Sequence, residues 1–345
     1  MPLRFEDRPS RPQDSLSTKP LSIASVTVAY NGADVLREHL NSLKRQTHKL
    51  DEVIVVDNAS TDDTRRLLAA EYPDVTVLRL EENGGIGGGL SAGLAYAALA
   101  KKYDWIWLFD QDSVPATDAL EQLVIASQQA AESEARISIL APRCFHADTQ
   151  MQYPGLRWRG SRFVPVHPSR DTAITFVDMV ITSGSLIRRN AIEELGLPRT
   201  DFFMDFVDYE HCLRLRRQGY RIAIVRDSVV RHAIGSPTTF SVLGRTKSWA
   251  DHAPWREYYM TRNEIFTIWK YYPEIRKRLF VLYRLTQHAV GILLFGKRKI
   301  DCLRMMLLGL FDGLSGRLGI RFVPNRSART ALLRRSRSNA LNDCA

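Results

Sequence analysis

Cysteine is scarce in this sequence, and long apolar runs are missing. Its 345 residues include four cysteines, and these are scattered without the CxxC or Cys/His spacings of zinc sites. A zinc site or a disulfide framework is therefore not expected, and a reducing cytosol fits the pattern. No stretch reaches the ~18 uninterrupted apolar residues of a membrane-spanning helix. Residues 1–20 lack the apolar segment of a signal peptide and are expected to form a disordered tail.

Motifs of several enzyme and binding classes are also missing. Ser183-Gly184-Ser185 is not a GxSxG nucleophile elbow, and no nucleophilic triad is evident. The formal net charge is +10 at pH 7, which points to an anionic partner or surface or serves only solubility. No nucleic-acid recognition motif or compact basic stripe accompanies this charge. Nucleic acid is therefore not expected as a partner.

The apolar pattern of the first third of the chain alternates between strands and helices. Strands are predicted at Ala24–Tyr30, Glu52–Val56, Val75–Leu80 and Trp105–Phe109, and helices at Val35–Leu43, Thr64–Glu71 and Leu90–Lys102. This alternation predicts an α/β, Rossmann-like fold with a mostly parallel sheet and flanking helices.

The remainder of the chain has a less regular pattern. We expect short strands at residues 137–141, 176–181 and 222–225, a helix at 205–218, and only helices from Pro254 onward. The predicted organisation is a tail (1–20), an α/β domain (21–250), a helical region (251–320) and a basic flexible tail (321–345).

Polar side chains follow each predicted strand of the first half: Asn31, Asp57, Asn83, Asp110 and Asp112. Ligands of parallel sheets gather at the carboxyl ends of the strands, so these side chains are expected near a binding site. Asp110 and Asp112 flank Gln111 after a buried strand, and their carboxylates suit Mg²⁺ or Mn²⁺. The alternative is a simple strand-to-loop turn.

A glycine-rich segment, residues 83–89, allows the backbone to approach a ligand closely. It also supports a second hypothesis, because Gly87-x-Gly89-x-x-Ala92 matches the fingerprint of NAD(P)-dependent oxidoreductases. Two βα units precede it, however, whereas the fingerprint normally follows the first strand. Asp112 would also have no use in ribose recognition by a dehydrogenase.

Three carboxylates, Asp205, Asp208 and Glu210, lie at a predicted helix start. One of them could act as a general base toward a sugar hydroxyl. The alternative is that they complement the helix dipole on a solvated face. The residues alone leave both interpretations open.

Taken together, the motifs resemble those of the family 2 glycosyltransferases, which have the GT-A fold. The matching stretches, in family order, are residues 26–31 (VTVAYN), 55–62 (VVDNASTD), 83–87 (NGGIG), 109–113 (FDQDS), 182–185 (TSGS) and 203–217. The FDQDS string and the DFVDYE segment are most similar to rhamnosyltransferases of bacterial surface-polysaccharide assembly, such as that of O-antigen.

The resemblance implies a role for each matching position. Tyr30 and Asp57 would hold the nucleotide base, and Asn83 and Gly87 would border the ribose and diphosphate. Asp110 would contact the ribose or the metal, Asp112 would ligate the metal, and His232 would add a metal or diphosphate contact. Ser183 and Gly184 would border the acceptor.

The resemblance also implies an inverting displacement with Asp208 as the base. The family's usual Glu-Asp pair is here Val207-Asp208, so Asp205 and Glu210 remain possible stand-ins. The donor implied is a nucleotide sugar, with dTDP-L-rhamnose as first choice, and the acceptor is a saccharide or a lipid-linked sugar.

The region from residue 276 to 304 carries eight Lys or Arg side chains and a single acid, interleaved with apolar runs. This pattern favours an interfacial helix on an anionic membrane. Together with the resemblance, it implies the inner face of the bacterial cytoplasmic membrane. The alternative is a bundle that packs its apolar faces on the α/β domain. A basic membrane-binding protein without enzymatic activity is a further hypothesis.

Overall fold

The computed structural model describes residues 21–131, 136–147, 149–169, 171–232, 238–242, 245–249 and 251–323. The predicted tail 1–20 and all of the predicted basic tail beyond residue 323 lie outside these ranges. Over the described residues, a curled ten-stranded sheet with flanking helices is followed by three C-terminal helices.

Fourteen strands are described. They are β1 (Ile23–Ala29), β2 (Glu52–Asp57), β3 (Thr76–Arg79), β4 (Trp105–Asp110), β5 (Ser113–Pro115), β6 (Ile137–His146), β7 (Gln152–Tyr153), β8 (Gly155–Arg159), β9 (Arg162–Val166), β10 (Ile174–Val177), β11 (Ser185–Arg188), β12 (Arg221–His232), β13 (Thr238–Val242) and β14 (Arg245–Trp249).

Nine α-helices are described over the same ranges. They are α1 (Ala33–Lys44), α2 (Thr64–Glu71), α3 (Gly85–Leu94), α4 (Ala119–Ala131), α5 (Arg189–Leu195), α6 (Val207–Arg217), α7 (Pro254–Tyr271), α8 (Ile275–Phe295) and α9 (Lys299–Leu314). A π-helical turn, Ala95–Ala100, continues α3, and a 3₁₀ turn covers Thr200–Phe202.

The large sheet has the order β10-β12-β6-β11-β4-β1-β2-β3. Strands β4, β1, β2 and β3 are parallel to one another, which confirms the βαβ prediction for this half. Strand β11 is antiparallel to both β4 and β6, while β6 and β12 are again parallel. The sheet as a whole is therefore mixed, and its parallel part is the half whose strand ends carry the predicted polar residues.

Central strand β1 is buried at all seven positions because helices cover both faces of the sheet. On one face, Val26 and Val28 pack beneath α3. On the other, Trp107 and Phe109 of β4 pack with α1 and α4. The sheet is thus held rigidly at the edge where β1 and β4 end.

Helix α3 begins at Gly85, five residues before the predicted start at Leu90, so that boundary was wrong. The glycines are needed for packing against the sheet. A β-carbon on Gly89 would lie 2.4 Å from Val28 Cγ1, and one on Gly93 would lie 2.2 Å from Val26 Cγ1. Close helix–sheet approach outweighs the low helix propensity of glycine here.

The other boundaries vary in accuracy. Helix α2 matches its prediction, while the predicted strands at 137–141 and 222–225 extend to β6 and β12 and reach His146 and His232. Helix α4, the β8–β9 hairpin and β11 were not predicted. The helical prediction from Pro254 is confirmed as far as Leu314. None of the described helices is long and apolar enough to cross a membrane.

The packing of α3 predicts opposite effects for two Gly→Ala substitutions in the same helix. Gly93→Ala should lower the free energy of unfolding by about 1–3 kcal/mol, since the new methyl group overpacks the interface with Val26. Gly88→Ala is the matched control, because a β-carbon there meets nothing within 4 Å. This substitution should raise the free energy of unfolding by up to about 1 kcal/mol, since alanine has the higher helix propensity. Urea unfolding of both variants measures the difference, and equal stabilities would contradict the packing argument.

Candidate active site

A pocket of about 540 Å³ opens at the carboxyl ends of β1 and β4, facing the start of α6. Its volume is in the usual range of small-molecule sites. Its polar lining includes Tyr30, Asn58, Asn83, Asp110, Gln111, Asp112, Thr182, Asp205, Asp208, His232 and Arg256. Residues more than 200 positions apart in the sequence therefore meet in one cavity.

Gln111 fixes the turn that carries Asp110 and Asp112. Its side-chain oxygen accepts a hydrogen bond from the Tyr30 backbone N–H (2.8 Å), and its amide donates to the Tyr30 carbonyl (3.2 Å). The end of β4 is thereby tied to the end of β1. The sequence pattern gave no role to this middle residue, because the contact joins positions 81 residues apart.

His232 joins the two aspartates at the end of β12. Its Nδ1 lies 3.1 Å from Asp112 Oδ1, and its Nε2 lies 3.5 Å from Asp110 Oδ2. Ser183 donates a hydrogen bond to the same Asp110 oxygen, at 2.6 Å. Burial by itself lowers the pKa of His232, but the hydrogen bond to Asp112 and the charge of Asp110 outweigh it and raise the pKa.

The carboxylates of Asp110 and Asp112 fit a metal site whose ligands come partly from the protein and partly from the substrate. Among the described residues, no group of three or more His, Cys, Asp and Glu is arranged to hold a metal ion. Asp110 and Asp112 nevertheless keep 32% and 26% of their side chains exposed at the pocket. Mg²⁺ is typically bound by one or two carboxylates together with substrate phosphates and water. Two exposed carboxylates match that donor set.

Asp208 lies in the first turn of α6, on the pocket wall. Burial raises its pKa, the Tyr209 N–H (2.8 Å) partly offsets this, and the charge of Asp110 raises it further, to about 7. No Lys or Arg of the described chain forms an ion pair with it. A partly exposed carboxylate with a pKa near neutrality can accept a proton in this pocket.

The other two carboxylates of this segment are engaged by cations. Asp205 forms a forked ion pair with Arg256, with an Nη2–Oδ1 distance of 2.9 Å. Glu210 is fully buried, lies 3.3 Å from Arg214 Nε and accepts a hydrogen bond from Tyr271. Of the three, only Asp208 both lines the pocket and forms no ion pair with a Lys or Arg of the described residues.

The loop that leads into α6 has an unusual backbone. Phe203, Asp205 and Phe206 all have positive φ, between 55° and 65°, a conformation that non-glycine residues rarely adopt. Side chains of α7 hold it: Asn263 donates to the carbonyls of Phe202, Met204 and Asp205, and Arg262 to those of Asp201 and Phe202. Sequence reasoning missed Arg256, Arg262 and Asn263, because they lie some 50 to 60 residues from the loop they contact.

Comparison with known proteins identifies the chain. The model of the family described as Glycosyl transferase family 2 matches residues 25–196. The chain belongs to glycosyltransferase family 2. It is 27% identical to the dTDP-rhamnosyl transferase RfbF of Shigella flexneri, over 86% of this chain and 97% of that one. It is also 27% identical to the galactofuranosyltransferase GlfT1 of Mycobacterium tuberculosis, over 75% and 85% of the two chains.

Solved structures confirm the GT-A fold of this glycosyltransferase. S. aureus TarS 1–349 in complex with UDP-GlcNAc has a TM-score of 0.56 at 18% identity, covering 86% of this chain and 81% of that one. GalNAc-T7 with UDP, GalNAc and Mn²⁺ has a TM-score of 0.57 at 18% identity, covering 76% and 50%.

The oxidoreductase alternative is not favoured. In the glycosyltransferase, a β-carbon on Gly87 would lie 2.4 Å from the Arg199 carbonyl oxygen, and one on Gly89 would meet Val28. These glycines are in contact with protein rather than with open space for a dinucleotide. Gly87 contacts the 199–203 segment and is not itself among the residues that line the pocket, whereas its neighbour Ile86 is.

The remaining predicted residues are partly in the pocket and partly behind it. Tyr30 and Asn83 line the cavity, whereas Asp57 is fully buried, accepting from the Ser60 N–H (2.9 Å) and from Arg65 (3.3 Å). Ser183 is buried beneath Asp110. Gly184 has φ of 81° and bonds to β4 through its backbone.

Two residues next to these positions face the pocket instead. Asn58, beside Asp57, bonds to Gly84 (2.9 Å) and Gly85 (3.0 Å), and Thr182 precedes Ser183. Asn58 directly follows β2 and Thr182 precedes β11, so a shift of one position at a strand end changes which side chain lines the pocket.

Proposed function

We propose that the protein is an inverting glycosyltransferase that moves a sugar from a nucleotide sugar to an acceptor hydroxyl. The observation that carries this proposal is the meeting of two carboxylate groups of different character in one pocket. Asp110 and Asp112 offer metal ligands at one side, and Asp208, with its pKa near 7, offers a proton acceptor at another. The two sites suit the leaving group and the attacking hydroxyl, respectively.

The donor we favour is dTDP-L-rhamnose. The dTDP-rhamnosyl transferase RfbF matches more of both chains than the galactofuranosyltransferase GlfT1 does. Tyr30, Asn58 and Asn83 line the part of the pocket beside β1, where the nucleoside would bind. Asp57 would act from behind, by fixing the Ser60 backbone through its hydrogen bond.

Asp110 and Asp112 would hold Mg²⁺ or Mn²⁺ together with the donor diphosphate, and His232 would orient both carboxylates. When bound, the ion would supply Lewis-acid stabilisation of the departing diphosphate. Asp208 would take the proton of the acceptor hydroxyl as its oxygen attacks the anomeric carbon. The nucleoside diphosphate would leave from the opposite side of the sugar, which inverts the configuration in one displacement.

The exposed surface of the C-terminal helices supports attachment to a membrane. Helix α7 packs on the α/β domain, as the bundle alternative required. The turn between α8 and α9 is different: Leu294 and Ile300 are 64% and 83% exposed, and the exposed cations Lys297, Arg298 and Lys299 lie between them. Apolar tips beside clustered cations suit an anionic leaflet. We infer peripheral attachment to the inner face of the cytoplasmic membrane and a lipid-linked saccharide acceptor.

Nucleotide release tests the donor and the metal together. The protein should release dTDP from dTDP-L-rhamnose in the presence of Mn²⁺ or Mg²⁺, and EDTA should abolish this. UDP-GlcNAc should react more slowly, and NAD⁺ should not raise the melting temperature, since only a bound ligand stabilises the fold. Release from a different nucleotide sugar alone would overturn the donor assignment. Full activity in EDTA would overturn the metal.

Substitution of the base should separate proton transfer from donor binding. Asp208→Asn should lower transfer by about two to four orders of magnitude while the affinity for dTDP hardly changes. Because burial raises the pKa to about 7, the reactive carboxylate is scarce at low pH, and wild-type kcat/KM should rise with pH through neutrality. Asp205→Asn is the control and should keep this rise. An active Asp208→Asn beside a folded but inactive Glu210→Gln would contradict the assignment.

Charge reversal tests the membrane surface. Changing Lys297, Arg298 and Lys299 to Glu should weaken co-sedimentation with phosphatidylglycerol vesicles, and wild-type binding should fall as salt is added. Lys44, Arg45 and Lys101 are also exposed but lie away from α8 and α9, so their reversal is a control with the same change in net charge. Equal losses for both triple variants, or no wild-type binding at low salt, would count against the proposal.

A further inference from the structure

Arg256 brings a cation into the pocket from outside the segment that the family model matches. It lies in the first turn of α7, sixty residues beyond the end of that match at 196. Among the described residues that line the pocket, it is the only Lys or Arg. The C-terminal helical region therefore contributes a side chain to the active site, in addition to packing on it.

The guanidinium is held in place by one edge only. Its Nε and Nη2 atoms bond to the Asp205 carboxylate at 2.9 to 3.2 Å. Nη1 has no hydrogen-bond partner in the described part of the chain, and 35% of the side chain is exposed. Asp205 itself is fixed, since Asn263 donates to its carbonyl (2.9 Å). An arginine anchored in this way presents its free N–H groups with little loss of conformational entropy on binding.

The negative charge of the pocket is the reason why a phosphate ligand would need a cation such as Arg256. Asp110, Asp112, Asp205 and Asp208 all line it, so a ligand that carries phosphate meets several negative charges. A cation at Asp110 and Asp112 would offset these at one side. Arg256 lies on the side of Asp205, and the edge of its guanidinium that Asp205 leaves open, at Nη1, can donate to phosphate oxygens.

We propose that Arg256 binds a phosphate group of the substrate through its free edge. The phosphate is either the β-phosphate of the donor nucleotide or the phosphate of a lipid-linked acceptor, and both present the same oxygens. The proposal rests on the proposed glycosyl transfer and names a residue that neither the motifs nor the family match includes. If Arg256 only supported the 203–206 loop through Asp205, its charge would not matter to ligand binding.

A matched pair of variants separates these roles. Arg256→Gln and Asp205→Asn break the same ion pair, but only the first removes the cation. Calorimetric titration with dTDP and with dTMP, each with Mn²⁺, should show that Arg256→Gln weakens dTDP binding by about tenfold or more. The loss for dTMP should be smaller, and Asp205→Asn should change dTDP affinity by about threefold at most. Arg256→Lys should recover part of the loss, and melting curves confirm that each variant is folded.

A second measurement tests whether the phosphate that Arg256 binds belongs to the acceptor. If dTDP affinity is unchanged in Arg256→Gln but binding of farnesyl phosphate is weakened relative to farnesol, the phosphate belongs to the acceptor. Unchanged binding of both dTDP and farnesyl phosphate, or equal losses in Arg256→Gln and Asp205→Asn, would overturn the inference while leaving the glycosyltransferase proposal in place. A wild-type protein that binds neither dTDP nor UDP would overturn both.

Discussion

The contact of Arg262 and Asn263 with the 201–206 loop is the constraint on which the active site depends. Three non-glycine residues of this loop have positive φ, and such conformations cost of order 1–3 kcal/mol each and persist only where the surroundings hold them. The two buried side chains of α7 supply that support through hydrogen bonds to successive carbonyls. The loop in turn sets where α6 begins, and with it the position of Asp208.

The same contact explains why the C-terminal helices cannot be treated as an appendage. Arg262 also bonds to the carbonyl of Gly319 (2.7 Å), beyond α9, and Tyr258 and Tyr259 pack with Phe203. The division at residue 250, drawn from the change of pattern, separates Asp205 from the Arg256 that pairs with it. Helices α7 and α9 pack against the 201–206 loop beside the pocket, while the turn between α8 and α9 is exposed.

Neighbouring charges give the carboxylates in and beside the pocket different environments. Asp110 and Asp112 share His232, which keeps two carboxylates close together at the sheet edge. Asp208 has no such partner, and burial together with the charge of Asp110 raises its pKa. Asp205 is neutralised by Arg256 and Glu210 by Arg214. Four aspartates and a glutamate thus differ in charge environment because their neighbours differ.

Local sequence determined the elements and the chemical groups at their ends. Apolar runs specify β1, β2 and β4, and the turn residues after them place Asp110 and Asp112 at the edge of the sheet, because alternation and strand termination are short-range properties. The position of Asp208 in the first turn of a helix was predictable for the same reason. The ordered motifs were sufficient to predict the family and its fold.

Only the tertiary structure decided which of these groups line the pocket. Asp57 and Asn58 are neighbours in the same strand-end motif and both are buried, yet of the two only Asn58 lines the pocket. Glycines that predict a loop form the start of α3, since Val26 and Val28 leave no room for a β-carbon. Glu210 and Asp205 form ion pairs with Arg214 and Arg256, whereas Asp208, in the same segment, forms none with a described Lys or Arg. Such outcomes depend on contacts between distant segments, and no local pattern contains them.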